Sequence, residues 1–302
     1  MTSPSIDAGP GRETHVFKVV DGCAIRADVF GAAPGEAKPG VVWIHGGGLI
    51  FGSRTAPRAT FLRALLQAGC VVVSIDHRLA PETKLPDIVD DVRDAWRWLR
   101  ERGPTLLGVD PARLGMAGGS SGGYLTLMSG FCVDPRPRAL ASFWGFGDIT
   151  TPWEAEPSAY YLDGWPAISR DRALESVGAS AISEQPADVD RGYFYVYCRQ
   201  QGLWPIEVAG HDPRNEPRWF DAYCPIRNVT ASYPPTILVH GTADRDVPCE
   251  ESRNMAARLA AAGVEHELVI MEGAGHGLAG ANAAEADSAE TRAAAFLRAR
   301  LG

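Results

Sequence analysis

One stretch of the sequence carries a residue spacing that could perform covalent chemistry. In Gly118-Gly119-Ser120-Ser121-Gly122 a serine lies between two glycines, in the pattern Gly-x-Ser-x-Gly. An apolar run enters this stretch and an apolar helical pattern leaves it, so the spacing predicts a sharp strand-to-helix turn with the Ser120 hydroxyl at its apex. The start of the following helix would favour a developing negative charge. A Gly/Ser-rich loop before a helix is the alternative, and the rest of the chain has to decide between them.

A serine is a poor nucleophile at neutral pH and needs a base, together with a third group that holds the base in the correct tautomer. Asp244 follows a predicted strand, and His276 lies in a glycine-rich loop after the last predicted strand. The order serine, acid, histidine is the one that accompanies this kind of turn. We therefore expect Ser120 to be the nucleophile, His276 the base and Asp244 the orienting acid. Asp246 competes for the acid role, and a loop histidine without a catalytic role is the alternative for His276.

A second glycine-rich stretch could hold the negative oxygen that forms when a carbonyl is attacked. His45-Gly46-Gly47-Gly48 follows a predicted strand, and glycines leave backbone N–H groups bare. We expect the N–H groups of Gly47 and Gly48 to act together with that of Ser121, the residue after the nucleophile, with Gly46 as a further candidate. A purely structural glycine-rich turn is the alternative.

These residues need a scaffold, and the hydrophobic pattern predicts one. Short apolar runs alternate with amphipathic helical patterns, which predicts a mostly parallel central sheet wrapped by helices, an α/β fold. Before this alternation begins, residues 1–14 are expected to form a loose arm, 15–30 two strands that turn at Asp21-Gly22, and 31–40 a loop. Predicted strands follow at 41–45, 70–76, the run into the serine turn, 139–144, 236–240 and 265–271, with predicted helices at 57–69, 87–102, the stretch after the serine turn, 251–262 and 284–301.

The alternation stops between Gly145 and Tyr233, an interval far too long for an ordinary connection. So many aromatic residues occur there that their surface has to be buried, and we expect a cap over the carboxyl edge of the sheet, where open α/β sheets bind ligands. The predicted organisation is a core of residues 1–145 and 233–302 with a cap of residues 146–232 inserted between strands 6 and 7. The aromatic residues are Trp153, Tyr160, Tyr161, Trp165, Tyr193, Phe194, Tyr195, Tyr197, Trp204, Trp219, Phe220 and Tyr223.

Composition excludes several classes of function. The chain has 302 residues, a net charge of −8 and a pI near 5.4, which argues against nucleic acid as a partner. No apolar run reaches the roughly 20 residues that span a bilayer, and the N-terminus shows no signal-peptide pattern, so we expect a cytoplasmic protein. No metal-ligand spacing is visible, and no metal site is expected. The six cysteines are scattered and expected to be reduced, with a Cys198–Cys224 bridge as the alternative.

For several further polar and aromatic residues the sequence allows either a structural or a functional role. Arg78 and Glu82 are expected to pair beneath a turn braced by Pro81 and so to hold the glycine loop. Asp148 either faces a pocket or caps a turn. The run from Tyr193 to Tyr197 either lines a pocket for planar substrates or packs inward, and His211 and Asp212 are expected to be loop residues.

Three ordered motifs together resemble one known family. His45-Gly46-Gly47-Gly48, the stretch Asp76-His77-Arg78-Leu79-Ala80-Pro81-Glu82, and Gly118-Gly119-Ser120-Ser121-Gly122-Gly123 are similar to the hormone-sensitive-lipase-like branch of the α/β-hydrolase superfamily. The resemblance covers roughly residues 15–145 and 233–302. It implies an α/β-hydrolase fold and a cofactor-free carboxylesterase that acts through Ser120, His276 and Asp244.

The chain departs from that branch in three ways. Gly119 precedes the serine where many relatives carry Asp, and the acid loop Gly241–Pro248 is similar instead to the prolyl-oligopeptidase-like branch. The cap lies in the middle of the chain, whereas the lipase-like branch builds much of its cap from the N-terminus. These differences leave the three catalytic candidates in place but open the substrate class.

The sequence leaves three functions open. The first is a serine carboxylic-ester hydrolase with a small-molecule ester substrate, and the second is an amidase or peptidase that uses the same residues. The third is a binding protein on a hydrolase fold, although such proteins usually lose a catalytic residue. A homodimer is an open expectation.

Overall fold

The computed structural model describes residues 11–55 and 57–302. In this part of the chain eight strands form one sheet, in the order β1-β2-β4-β3-β5-β6-β7-β8. β2 runs antiparallel to both β1 and β4, and the other neighbouring pairs are parallel. The strands are β1 Arg12–Val20, β2 Cys23–Phe30, β3 Lys38–Ile44, β4 Val71–Ile75, β5 Val109–Gly119, β6 Leu140–Phe143, β7 Thr236–Gly241 and β8 His266–Met271.

The described residues contain ten α-helices. They are α1 Ala59–Gln67, α2 Leu85–Leu107, α3 Ser121–Cys132, α4 Pro152–Ala155, α5 Ala159–Gly164, α6 Arg170–Leu174, α7 Gly192–Gln201, α8 Trp204–Ala209, α9 Glu250–Ala261 and α10 Ala283–Leu301. None of the described helices is both long and apolar enough to cross a membrane.

The inner strands β3, β4, β6 and β7 are buried on both faces, because they carry apolar side chains at successive positions. In β3, Val42 and Ile44 join a core with α2, α3 and α9, while Val41 and Trp43 join a second core with α1 and α10. This alternation follows from the two-residue period of a strand. The predicted α/β-hydrolase fold, a mostly parallel sheet wrapped by helices, is confirmed.

Several predicted boundaries were wrong. Residues 1–10 of the expected loose arm lie outside the described residues, but residues 12–14 belong to β1, where the Thr14 hydroxyl donates to Asp28 Oδ1 at 2.7 Å. The expected loop 31–40 ends early, because β3 begins at Lys38 and pairs there with Val109 of β5. The helix predicted at 87–102 extends over 85–107.

The long interval between β6 and β7 contains α4 to α8 and the 3-10 turns Trp219–Tyr223 and Pro225–Arg227. Many of its aromatic side chains are buried, among them Phe194, Tyr195, Trp204 and Phe220, whereas Trp165 is exposed. Burial of this aromatic surface follows from the hydrophobic effect. The division into a core and a cap stays a prediction.

Candidate active site

Ser120 lies in the tight turn between β5 and α3. Its backbone has φ 57° and ψ −125°, a conformation that is strained for a residue with a side chain. A methyl group at Gly118 would clash with the carbonyl oxygen of Gly122, and one at Gly122 would clash with that of Ile44. Both glycines are therefore required where the strand, the turn and the neighbouring strand meet. The spacing placed this turn correctly.

His276 and Asp244 come to the serine from the loops after β8 and β7. His276 Nε2 lies 3.1 Å from Ser120 Oγ, and His276 Nδ1 lies 2.8 Å from Asp244 Oδ2. These loops reach one place because parallel strands end at the same edge of the sheet. The three residues named from sequence are thus brought together in hydrogen-bonding order, while their catalytic roles stay predictions.

Asp244 is fully buried, yet it is held in its charged form. Its Oδ1 accepts hydrogen bonds from the backbone N–H groups of Asp246 at 3.0 Å and Val247 at 2.9 Å. Burial alone would raise the pKa of Asp244, but hydrogen bonds with His240 and His276 outweigh it and hold the pKa well below its ordinary value. This carboxylate can therefore orient and charge-balance the His276 imidazole.

His240 is a second histidine beside Asp244, and the sequence did not indicate it. It lies on β7, fully buried, with Nδ1 2.7 Å from Ser252 Oγ and Nε2 3.0 Å from the Val247 carbonyl oxygen. Nε2 is also 3.3 Å from Asp244 Oδ2. Its position as the second-last residue of a strand that carries the acid loop was the only signal in the sequence.

In the glycine loop after β3, the carbonyl oxygens of Gly46 and Gly47 are held by hydrogen bonds, and this fixes the direction of the N–H groups of Gly47 and Gly48. The Gly46 carbonyl oxygen lies 2.7 Å from His45 Nδ1, and that of Gly47 accepts from the N–H groups of Ile50 and Phe51. In a trans peptide the N–H points away from its C=O, so the N–H groups of Gly47 and Gly48 are turned away from these anchors. A Cβ on Gly46 would lie 3.0 Å from that of Ser120, so the loop borders the serine.

The loop that carries Gly47 and Gly48 thus borders Ser120 at Gly46, and Ser121 follows Ser120 directly in the chain. Within the described ranges, no protein group accepts a hydrogen bond from the backbone N–H of Gly47, Gly48 or Ser121. The Ser121 side chain serves another purpose, since its Oγ accepts from the Leu49 N–H at 3.2 Å. Binding of an oxyanion by these groups stays a prediction.

Helices α7 and α8 hold the glycine loop in place. The Trp204 indole N–H donates to the Gly48 carbonyl oxygen at 2.8 Å, and the Tyr195 ring fills the space that a side chain at position 48 would need. Arg191 donates through Nε to the Ile50 carbonyl oxygen at 2.6 Å. The sequence named the aromatic residues of this region but carried no sign that they touch the loop.

The expected Arg78–Glu82 pair was wrong. Arg78 makes a bidentate contact with Asp91 of α2, with Nε 2.8 Å from Oδ2, and Glu82 pairs with Arg191, with Nη2 2.7 Å from Oε2. Arg191 also donates to the Ala80 carbonyl oxygen at 2.6 Å. The partner of each charge was decided by which element packs against the turn, and the turn is held to α7 by Arg191.

Asp246, the competing acid candidate, lies on the other side of the imidazole. Its Oδ2 is 3.7 Å from His276 Nε2, whereas Asp244 binds Nδ1. Asp246 Oδ1 accepts from the Tyr195 hydroxyl at 2.8 Å and from Arg199 Nη1 at 3.1 Å. Burial would lower the pKa of His276, but the charge of Asp246 and the hydrogen bond to Asp244 outweigh it, so the pKa is raised.

The remaining candidates have structural surroundings. Asp148 accepts from the N–H of Thr150 and pairs with Arg227, and these contacts outweigh burial and lower its pKa. His211 stacks on Trp219 and lies in a loop, as expected.

The run from Tyr193 to Tyr197 is helical, with Phe194, Tyr195 and Val196 buried. All six cysteines are free, so Cys198 and Cys224 are not bridged. No group of three or more His, Cys, Asp or Glu side chains that could hold a metal occurs in the described part of the chain.

Comparisons with known proteins agree on the fold. A family model described as alpha/beta hydrolase fold matches residues 41–280. A protein of unknown function from Staphylococcus aureus subsp. aureus Mu50 superposes with a TM-score of 0.78 at 21% identity, over 96% of this chain and 100% of that one. The carboxylesterase EstE1, cloned from a metagenomic library, gives a TM-score of 0.67 at 24% identity, over 96% of this chain and 90% of its own. At these identities the structural likeness concerns the fold.

The similar curated proteins are much longer. Non-reducing polyketide synthase prhL of Penicillium brasilianum is 26% identical over 320 residues, covering 87% of this chain. The chain spans 13% of the length of that relative.

Proposed function

Since the chain belongs to the α/β-hydrolase fold family, we propose that it is a serine hydrolase that cleaves carboxylic esters through an acyl-enzyme intermediate. The observation that carries the proposal is the connected chain of hydrogen bonds from Asp244 through His276 to Ser120, with distances of 2.8 and 3.1 Å. The bordering glycine loop supports it, because acyl transfer needs donors where the carbonyl oxygen becomes negative.

In the proposed reaction Ser120 Oγ attacks the ester carbonyl carbon and His276 Nε2 accepts the serine proton. Asp244 keeps the other imidazole nitrogen protonated and balances the charge of the imidazolium. The N–H groups of Gly47, Gly48 and Ser121 bind the negative oxygen of the tetrahedral intermediate. Its collapse breaks the bond to the alcohol, whose oxygen takes the proton from Nε2. Water then attacks the acyl-enzyme with His276 again as base, and the acid is released.

The names of the curated relatives favour a second substrate class, a polyketide acyl group. The same site would cleave a polyketide ester or thioester, because both pass through a tetrahedral intermediate at an acyl carbon. An amidase or peptidase is less well supported. It rests on the similarity of the acid loop Gly241–Pro248 to the prolyl-oligopeptidase-like branch, and Arg199, a cation close to the site that could hold a substrate carboxylate, is already paired with Asp246.

The test is a series of p-nitrophenyl esters from acetate to laurate, with kcat/KM measured for the wild type, Ser120→Ala and the matched control Ser180→Ala. Ser180 is an exposed serine, so its variant should match the wild type. Ser120→Ala should lose several powers of ten in kcat/KM while keeping its circular dichroism spectrum. Near-native turnover by Ser120→Ala would refute the proposal.

Labelling by a fluorophosphonate and a second substrate panel separate the alternatives. Labelling of the wild type but not of Ser120→Ala indicates an active nucleophile and argues against a binding protein. If the labelled enzyme leaves every p-nitrophenyl ester intact, acyl thioesters and aminoacyl p-nitroanilides become the next substrates. Turnover confined to the anilides would replace the esterase by an amidase.

A further inference from the structure

Asp246 places a second carboxylate at the site, and the proposed mechanism gives it no role. Its Oδ2 lies 3.7 Å from His276 Nε2, the atom that exchanges a proton with Ser120 and with the leaving alcohol. Asp244 lies on the opposite, Nδ1 side of the ring. The two carboxylates therefore have different tasks, one behind the imidazole and one beside the reacting atoms.

The Asp246 carboxylate is held rigidly through one of its two oxygens. Oδ1 accepts from the Tyr195 hydroxyl at 2.8 Å and from Arg199 Nη1 at 3.1 Å, and Arg199 Nη2 donates to the Asp246 carbonyl oxygen at 3.2 Å. Arg199 is further fixed by the Trp153 carbonyl oxygen at 2.9 Å. The hydrogen bonds from Tyr195 and Arg199 end on Oδ1 and on the backbone, and Oδ2 is the oxygen that lies near His276 Nε2.

The exposed fractions of the Arg199 and Asp246 side chains indicate which of the two can contact a substrate. The Arg199 side chain is 1% exposed, whereas that of Asp246 keeps 13% of its surface. Arg199 therefore supports Asp246 from behind and does not reach the substrate. Its positive charge also offsets that of the carboxylate, so Oδ2 is better suited to a neutral hydrogen-bond donor than to a cation.

The leaving alcohol has to lie close to this oxygen. Its oxygen takes a proton from Nε2 and must approach within hydrogen-bond distance, roughly 3 Å, of that atom. A substituent on the carbon next to the ester oxygen is then within reach of Oδ2, since Oδ2 is 3.7 Å from the same nitrogen. A hydroxyl group on the following carbon, as in the monoester of a vicinal diol, can donate to Oδ2 while the ester oxygen faces Nε2.

We propose that Asp246 binds a hydroxyl group on the leaving alcohol, so that the site selects esters of vicinal diols and polyols over esters of simple alkyl alcohols. This inference rests on the proposed ester hydrolysis and specifies its substrate class. Tyr195 connects the two parts of the site, because its hydroxyl donates to Asp246 and its ring packs against Gly48. The hydroxyl subsite and the glycine loop are thus placed by the same side chain of α7.

The experiment compares 2-hydroxyethyl butyrate with n-propyl butyrate, which have the same acyl group and nearly the same size. Each kcat/KM is divided by the rate of alkaline hydrolysis of that ester to remove the difference in intrinsic reactivity. The wild type should prefer the hydroxyethyl ester by about tenfold or more, the lower end of what a hydrogen bond to a charged group contributes. Asp246→Asn should reduce this preference to about threefold or less. The matched control Asp221→Asn, an exposed aspartate that also pairs with an arginine, should keep it.

The outcomes separate this inference from the proposed function. Hydrolysis of both esters by the wild type without a preference for the hydroxyethyl ester overturns the hydroxyl subsite and leaves the esterase intact. That comparison needs no variant, so a poorly folded Asp246→Asn protein does not remove the test. An unchanged preference in folded Asp246→Asn also overturns it. Failure of the wild type to hydrolyse any ester overturns both proposals.

Discussion

Replacing Asp246 by Asn should move the acid limb of the pH–activity profile to lower pH. His276 has to be neutral to accept the Ser120 proton, so kcat/KM falls as the pH drops through its pKa. Burial alone would lower that pKa, but the charge of Asp246 and the hydrogen bond to Asp244 raise it, while Arg199 opposes them. Loss of the Asp246 charge therefore lowers the pKa of His276. The variant should keep its activity at a pH where His276 of the wild type is already protonated.

The size of the shift follows from the geometry. Asp246 Oδ2 lies 3.7 Å from His276 Nε2, and unit charges about 4 Å apart interact by about 1 kcal/mol in water and about 4 kcal/mol in a medium of dielectric constant near 20. The His276 side chain is 29% exposed and Arg199 partly cancels the charge, so the lower end applies. An energy of about 1.4 kcal/mol corresponds to tenfold and about 1 kcal/mol to roughly fivefold, so on the acid limb Asp246→Asn should keep about five times more of its plateau kcat/KM than the wild type does.

The assay is kcat/KM for p-nitrophenyl butyrate from pH 4.5 to 9 at constant ionic strength, for the wild type, Asp246→Asn and Asp221→Asn. Asp221 is exposed and has no part in the proposed reaction, so its variant should follow the wild-type profile. An acid limb of Asp246→Asn that stays in place or moves to higher pH would refute the electrostatic argument. A uniform loss of activity at every pH would indicate a structural role for Asp246 instead.

Two further predictions concern Trp204 of α8 and Glu154 of α4. Trp204→Phe removes the indole donor to the Gly48 carbonyl oxygen. We expect kcat to fall about three- to tenfold with KM nearly unchanged, as for the loss of a neutral hydrogen bond. Equal kcat values for this variant and the exposed control Trp165→Phe would contradict this prediction. Burial, against the charge of Arg199, raises the pKa of Glu154 from 4.5 to about 8, so between these pH values the folded state keeps a proton that the unfolded chain releases. The free energy of unfolding should therefore decrease as the pH rises through this window, and Glu154→Gln should flatten that decrease in urea titrations, whereas parallel curves would rule the idea out.

The sequence by itself determined the scaffold and the three residues of the hydrogen-bonded chain. Strand and helix periods are local properties, and the glycines around Ser120 are required by contacts within the turn and with Ile44 of β3. Asp244 and His276 each follow a strand, and parallel strands end at one edge, so their meeting follows from topology. Short patterns were sufficient because each residue is placed by the strand directly before it.

Only the tertiary structure decided which charged side chains pair across different elements. Arg78 binds Asp91 of α2, and Glu82 binds Arg191, the residue before α7, so each charge is paired by a different element, a choice that the spacing of Arg78 and Glu82 does not contain.

Asp246 is the alternative acid candidate, yet its Oδ2 lies near Nε2 of His276, whereas Asp244 binds Nδ1. The loop bends between these residues, because Asp244 Oδ1 accepts from the N–H groups of Asp246 and Val247, and the contacts with Tyr195 and Arg199 hold the Asp246 carboxylate. Those contacts join segments far apart in the chain, and side-chain pairing over such distances is set by packing, which a local pattern does not encode.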